Sequence, residues 1–129
     1  MKYYFITHIE SLSPLLDFNI DKANIDLHND FVCNDIIHNG QNIEFYFKRT
    51  VEDLLYSEQN AVIIFSKIIE SNFNVVQIGS GMTLMNFAKG EIGEGSEYNG
   101  HLDVFYFFIE FLESKMIDIV CKEANIFLW

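Results

Sequence analysis

Residues 101–115 read HLDVFYFFIEFLESK, and the class of the fold turns on whether they form helix or strand. As a helix, Leu102, Phe105, Ile109 and Leu112 make one apolar stripe, which Val104, Phe108 and Phe111 widen. Asp103, Tyr106, Glu110 and Glu113 then fall at i, i+3, i+7 and i+10, on one polar face. As a strand, VFYFFIEF offers the β-branched and aromatic side chains that suit a pleated surface. We read a helix over 101–115, with the strand as the alternative.

The flanking segments supply strands in antiparallel pairs. Upstream, NVVQIGSGMTLMNFA (74–88) reads as strand, Gly-Ser-Gly turn, strand. Asn39-Gly40 suits a type I′ turn, which needs positive φ at both central residues, and predicts a hairpin of 32–38 with 42–49. In its second arm Ile43, Phe45 and Phe47 alternate with Glu44, Tyr46 and Lys48. Residues 2–9, KYYFITHI, read as a first strand. Ser13-Pro14 signals the start of a short helix, and residues 19–30 a polar connection with a few extended residues. Thr50 and Asp53 resemble a capping box, and Val62, Phe65, Ile68 and Ile69 fall at helical spacing, so 51–71 reads as one or two helices. The end, MIDIVCKEANIFLW, reads as a hairpin turning at 122–125 or as a helix plus tail. Paired strands with helices in blocks predict an α+β fold. We expect a mainly antiparallel sheet of about five strands with helices packed on one face, in a single domain spanning 1–129.

A chain of 129 residues with 50% hydrophobic and 16% aromatic content can bury a core without staples. Cys33 and Cys121 lie far apart, each beside a valine, and read as buried thiols in a reducing compartment. The apolar run of MKYYFITHIE is broken by Thr7, His8 and Glu10, unlike a signal peptide, and no uncharged apolar stretch approaches 18 residues. A cytoplasmic protein is the expectation.

Nineteen acids against eight bases give a net charge of −11. Nucleic acid and anionic membranes repel such a surface, because binding them depends on Lys and Arg. A basic protein is the partner that the field attracts.

Catalytic and metal motifs are missing from the sequence. Gly79-Ser80-Gly81 is followed by Met82, Thr83 and Leu84, so it completes neither a dinucleotide fingerprint nor a phosphate loop. His8, His28, His38 and His101 are scattered without zinc spacing. His28 with Asp26 and Asp30 offers a weak metal contact on paper, and a solvated loop is the plainer reading. No enzyme activity, cofactor or metal is expected.

The remaining signal is charge distribution. GEIGEGSEYNGH (90–101) holds four of the seven glycines, and six acids and no base lie between Gly90 and Ser114. A plain solvated connection is one account. The other is a partner site: Glu91, Glu94, Glu97 and Tyr98 in the loop, then Asp103, Tyr106, Glu110 and Glu113 beyond it. Tyrosine supplies the amphipathic anchor common at interface centres.

In this acidity, size and lack of catalytic motif, with GEIGEGSEYNGH and DVFYFFIEFLE as the nearest features, the chain resembles bacterial immunity proteins. These accompany the toxins of contact-dependent inhibition and other polymorphic systems. The resemblance is to a class that shares no motif. It implies a protein that binds and neutralises a cognate basic toxin, foremost a nuclease. The alternative is a small-ligand module or enzyme with a Phe/Tyr-lined pocket.

Overall fold

Every element of the described structure is a β-strand. The computed structural model describes residues 2–5, 17–20, 23–50, 59–73, 81–90, 97, 103–112 and 115–129. These contain β1 (Lys2–Phe5), β2 (Asp17–Ile20), β3 (Ala23–Asp26), β4 (Phe31–Asn39), β5 (Asn42–Arg49), β6 (Asn60–Phe73), β7 (Leu84–Gly90), β8 (Phe105–Phe111) and β9 (Lys115–Leu128). One antiparallel sheet runs β4-β5-β6-β9-β8-β7, and β1 pairs with the far end of β9 beside β8. β2 and β3 form a separate hairpin.

The α+β expectation is therefore wrong: among the described residues there is no helix. Residues 105–111 are β8, with Phe107, Ile109 and Phe111 buried and Phe105 packed against the core. Leu112, which a helical stripe would bury, is 55% exposed. An almost uniformly apolar run fits both periods, and the neighbouring strands decide between them. The helix expected over 51–71 is contradicted by β6, while 51–58 lie outside the described residues. Of the short helix expected after Pro14, residues 17–19 belong to β2 and residues 14–16 lie outside the described residues; the expected C-terminal hairpin is replaced by the single strand β9.

The helical spacing in β6 has a local cause. Ala61, Ile63 and Phe65 point inward; the next inward side chain is Ile68, three residues on. Lys67 between them adopts a left-handed φ of 54°, a conformation costing a non-glycine residue about 1 kcal/mol. The partner strand changes face at the same level. Ala124, Ile126 and Leu128 point inward on one side, and Cys121, Ile119 and Ile117 on the other, with Phe65 opposite Ala124 and Ile68 opposite Cys121. A second irregularity follows between Ile68 and Glu70. Such a bend lets one pair of strands serve two differently directed halves of a sheet.

β4 and β5 adjoin the first part of β6; β8 and β7 adjoin the part of β9 facing its second. The halves meet through phenylalanine. Phe65 sits edge-on to Phe45 at 5.5 Å and to Phe107 at 5.2 Å, and Phe45 stacks on Phe111 at 6.2 Å. Phe45, Phe47, Ile63, Phe65, Leu84, Phe87 and Ile109 leave no volume between them that a water molecule could enter. A Phe-lined ligand cavity is not present there. Two backbone hydrogen bonds between Cys33 and Met82, at 2.9 and 2.8 Å, tie β4 to the segment before β7 and close the curl at one point.

The hairpin expected at 32–38 and 42–49 is present as β4 and β5. Its central residues are Gly40 and Gln41, inside the pair Asn39–Asn42, and only Gly40 has positive φ, at 62°. That is the φ pattern of a type II′ turn, in place of the type I′ turn expected at Asn39-Gly40. At the far end of β5 the buried Arg49 guanidinium lies 4.5 Å from the Phe31 ring centre and 3.6 Å from Asp30. Among the described residues no helix is long and apolar enough to cross a membrane.

Because Phe65 touches both halves, Phe65→Ala should destabilise the fold by about 3–5 kcal/mol, the usual cost of emptying a phenylalanine site. Urea unfolding should show the midpoint falling with little change of slope.

Candidate functional site

Strand alternation that buries one set of side chains in β8 and β9 presents the other set outward. Cross-strand register arranges the outward set in rows: Gly90, Tyr106, Val120 and Glu70; then Ala88, Phe108, Asp118 and Asn72; then Asn86, Glu110 and Met116. This face of β7-β8-β9-β6 thus carries three carboxylates, Glu70, Asp118 and Glu110. Between them stand Tyr106, Phe108, Val120 and Met116. No lysine or arginine occupies these rows. Lys89 of β7 points the other way, 8% exposed, with its amine 4.9 Å from the Phe105 ring centre; burial lowers its pKa. Lys122, the next outward position along β9, lies 3.7 Å from Asp103.

Tyr106 is the best-fixed member of the face. Its hydroxyl donates to Asp118 Oδ1 at 2.5 Å. Its ring lies over Gly90: a Cβ there would sit 2.7 Å from Tyr106 Cδ1. Gly90 is thus the end of β7, and its missing side chain makes room for the ring. Burial, reinforced by the hydrogen bond to Asp118 and by its charge, pushes the Tyr106 phenol up to about 12. Glu110 accepts from Asn86 Nδ2 at 2.6 Å. Beside Tyr106 an open cleft of about 460 Å³ is lined by Glu70, Ser71, Asn72, Tyr106, Asp118 and Val120.

The expected site residues are only partly reunited here. Tyr106 and Glu110 share the outward face of β8, by strand alternation and not on a helix. Asp103 is exposed just before the strand and engaged by Lys122, and Glu97 is exposed at a turn. Glu91, Glu94, Tyr98 and Glu113 lie outside the described residues. Glu70, Asp118 and Asn72 were missed. The signal for Asp118 was visible in MIDIVCK, where Met116, Asp118, Val120 and Lys122 alternate with buried Ile117, Ile119 and Cys121. Glu70 could not be placed without the change of face at Lys67.

The other candidates resolve into structural roles. Burial pushes the Asp26 carboxyl up, but the backbone N–H groups of Asn29 and His28 donating to Oδ1 and the Asn29 amide donating to Oδ2 together hold it below the usual range. His28 Nδ1 donates to the Leu84 carbonyl at 2.6 Å, and Asp30 faces Arg49. Among the described residues no three His, Cys, Asp or Glu side chains are placed to hold a metal ion. Cys33 and Cys121 are buried, and burial pushes both thiols up to about 12, so they are not poised as nucleophiles. Compared with known protein families, curated proteins and solved structures, the chain matches none.

Tyr106 makes a pH prediction. Its folded pKa lies above the ordinary value of 10.0, so the folded state holds the proton longer than the unfolded chain. Its stabilising contribution is complete below about pH 10 and is lost as pH rises through about 12. Urea midpoints should fall more steeply over that interval in wild type than in Tyr106→Phe. Gly90→Ala should displace the ring from its seat and bring the Tyr106 titration, read by ultraviolet absorbance, back towards the ordinary range.

Proposed function

We propose that this chain is a binding protein that captures a cationic protein partner on the outward face of β7-β8-β9-β6. In biological terms it acts as an immunity protein does towards a basic toxin, with a nuclease as the foremost candidate. The observation that supports this reading is the combination on one face of Glu70, Glu110 and Asp118 with Tyr106, Phe108, Val120 and Met116, and no base in the same rows. Like charges on a shared face gain nothing for folding. A cationic partner turns that repulsion into attraction.

The physics of capture follows from the two kinds of side chain. A chain of net charge −11 attracts a basic domain over about a Debye length and speeds encounter. The complex is then held by burial of the tyrosine and apolar side chains, with charges at the rim setting the orientation. Neutralisation would come from covering the partner's cationic surface, which a nuclease needs in order to hold phosphates. No chemistry by this chain is required.

The experiment uses the reading frame adjoining this one. We expect it to encode a secreted protein with a basic C-terminal domain, whose toxicity on expression is relieved by co-expression of this chain. In stopped-flow mixing, the triple variant Glu70→Gln, Glu110→Gln, Asp118→Asn should associate about tenfold more slowly at low salt and with a flatter salt dependence. Absence of protection would refute the function; an unchanged association rate would move the contact to another face.

A further inference from the structure

The cleft beside Tyr106 has more definition than a general acidic face requires. It offers two carboxylates, Glu70 and Asp118, on adjacent rows, with the Asn72 amide at one side. The Tyr106 ring and Val120 form an apolar flank. Tyr106 is held from two directions, by the space over Gly90 and by its hydrogen bond to Asp118, so this wall exists before anything binds. A carboxylate has about four lone-pair sites, and Tyr106 uses Asp118 Oδ1 alone, which leaves acceptor capacity for a further donor.

Charge and shape together select the occupant. The acidic side of the cleft calls for a cation, and the phenol ring and valine call for an apolar or planar body next to it. Arginine meets both conditions. Its planar guanidinium donates in pairs to carboxylates, stacks on aromatic faces and gives up its weaker hydration more readily than an ammonium group. A lysine would supply the charge without the planar fork.

Building on the function proposed above, we propose that this cleft receives one arginine side chain of the cationic partner, its guanidinium on Asp118 and Glu70 and its stem against Val120 and the Tyr106 ring. Arginine is enriched among residues that dominate binding energy when they enter such pockets. The anchor fixes the position of the partner on a face whose other carboxylate, Glu110, lies further along β8.

The probes are N-acetyl-arginine methylamide and its lysine counterpart, titrated into the full chain and followed by NMR. Weak saturable binding of the arginine probe is expected, with a dissociation constant on the order of millimolar. Shifts should concentrate at Glu70, Asn72, Tyr106, Asp118 and Val120, with weaker shifts from the lysine probe. Asp118→Asn should weaken arginine binding by roughly fivefold, the worth of one exposed charge pair. Glu70→Gln serves as the second variant if the first disturbs folding, and Glu44→Gln on β5 should have no effect. Shifts scattered over all surface acids, equal response to both probes, or indifference to both cleft variants would overturn the arginine site. If the site fails while the triple variant still slows capture of the basic domain, the binding face stands without its anchor. If the arginine probe binds as described but the basic domain is not captured, the cleft stands and the partner reading falls.

Discussion

The bend shared by β6 and β9 is the constraint on which the structure rests. Each strand is fourteen residues long, and each changes the side it turns to the core at the same level, between Phe65 and Ile68 in one and between Ala124 and Cys121 in the other. Without it the inward side chains of one half would point to solvent, because a strand's alternation has period two. With it, both halves direct their phenylalanines to a common interior. The strain of a left-handed lysine at 67 is small beside that burial, since each fully buried large apolar side chain contributes about 2–3 kcal/mol.

Core and surface are linked through the same strands. Phe45, Phe65, Phe87, Phe107 and Phe111 belong to one buried cluster among the described residues, and the candidate face lies on the other side of the strands that carry it. The same register that buries Phe107 and Ile109 places Tyr106, Phe108 and Glu110 outward, and the register of β9 with β6 brings Asp118 and Glu70 beside them. Core and candidate face are two sides of one set of strand pairings. The Tyr106–Asp118 bond and the Gly90 gap stiffen the face where the cleft opens, and a preformed surface loses less entropy on binding.

Legibility varied with how local the cause was. The β4–β5 hairpin was readable because Ile43, Phe45 and Phe47 alternate cleanly with polar residues and a glycine marks the turn. The turn type was misread by one residue, since the closing pair depends on strand register and not on the Asn-Gly dipeptide. β8 was misread as helix because nearly every position of VFYFFIEF is apolar, so its acids could be fitted to a period of 3.6. β6 was misread because the face change at Lys67 puts a spacing of three between inward residues. Tyr106 and Glu110 were identified on a helical face and are found together on a strand, since residues four apart share a face in both geometries. Glu70 and Asp118 come from strands far apart in sequence, and no local pattern joins them.

The sequence by itself determined the acidity, the wealth of aromatic side chains and the hairpin, because each depends on composition or on neighbours along the chain. Tertiary structure alone decided that the ambiguous apolar runs are strands, that β6 and β9 turn together, and which carboxylates share a surface. The physical reason is that a strand's hydrogen bonds and half its packing lie on other strands. Its identity and its facing are therefore settled by partners tens of residues away along the chain, as β9 is from β6.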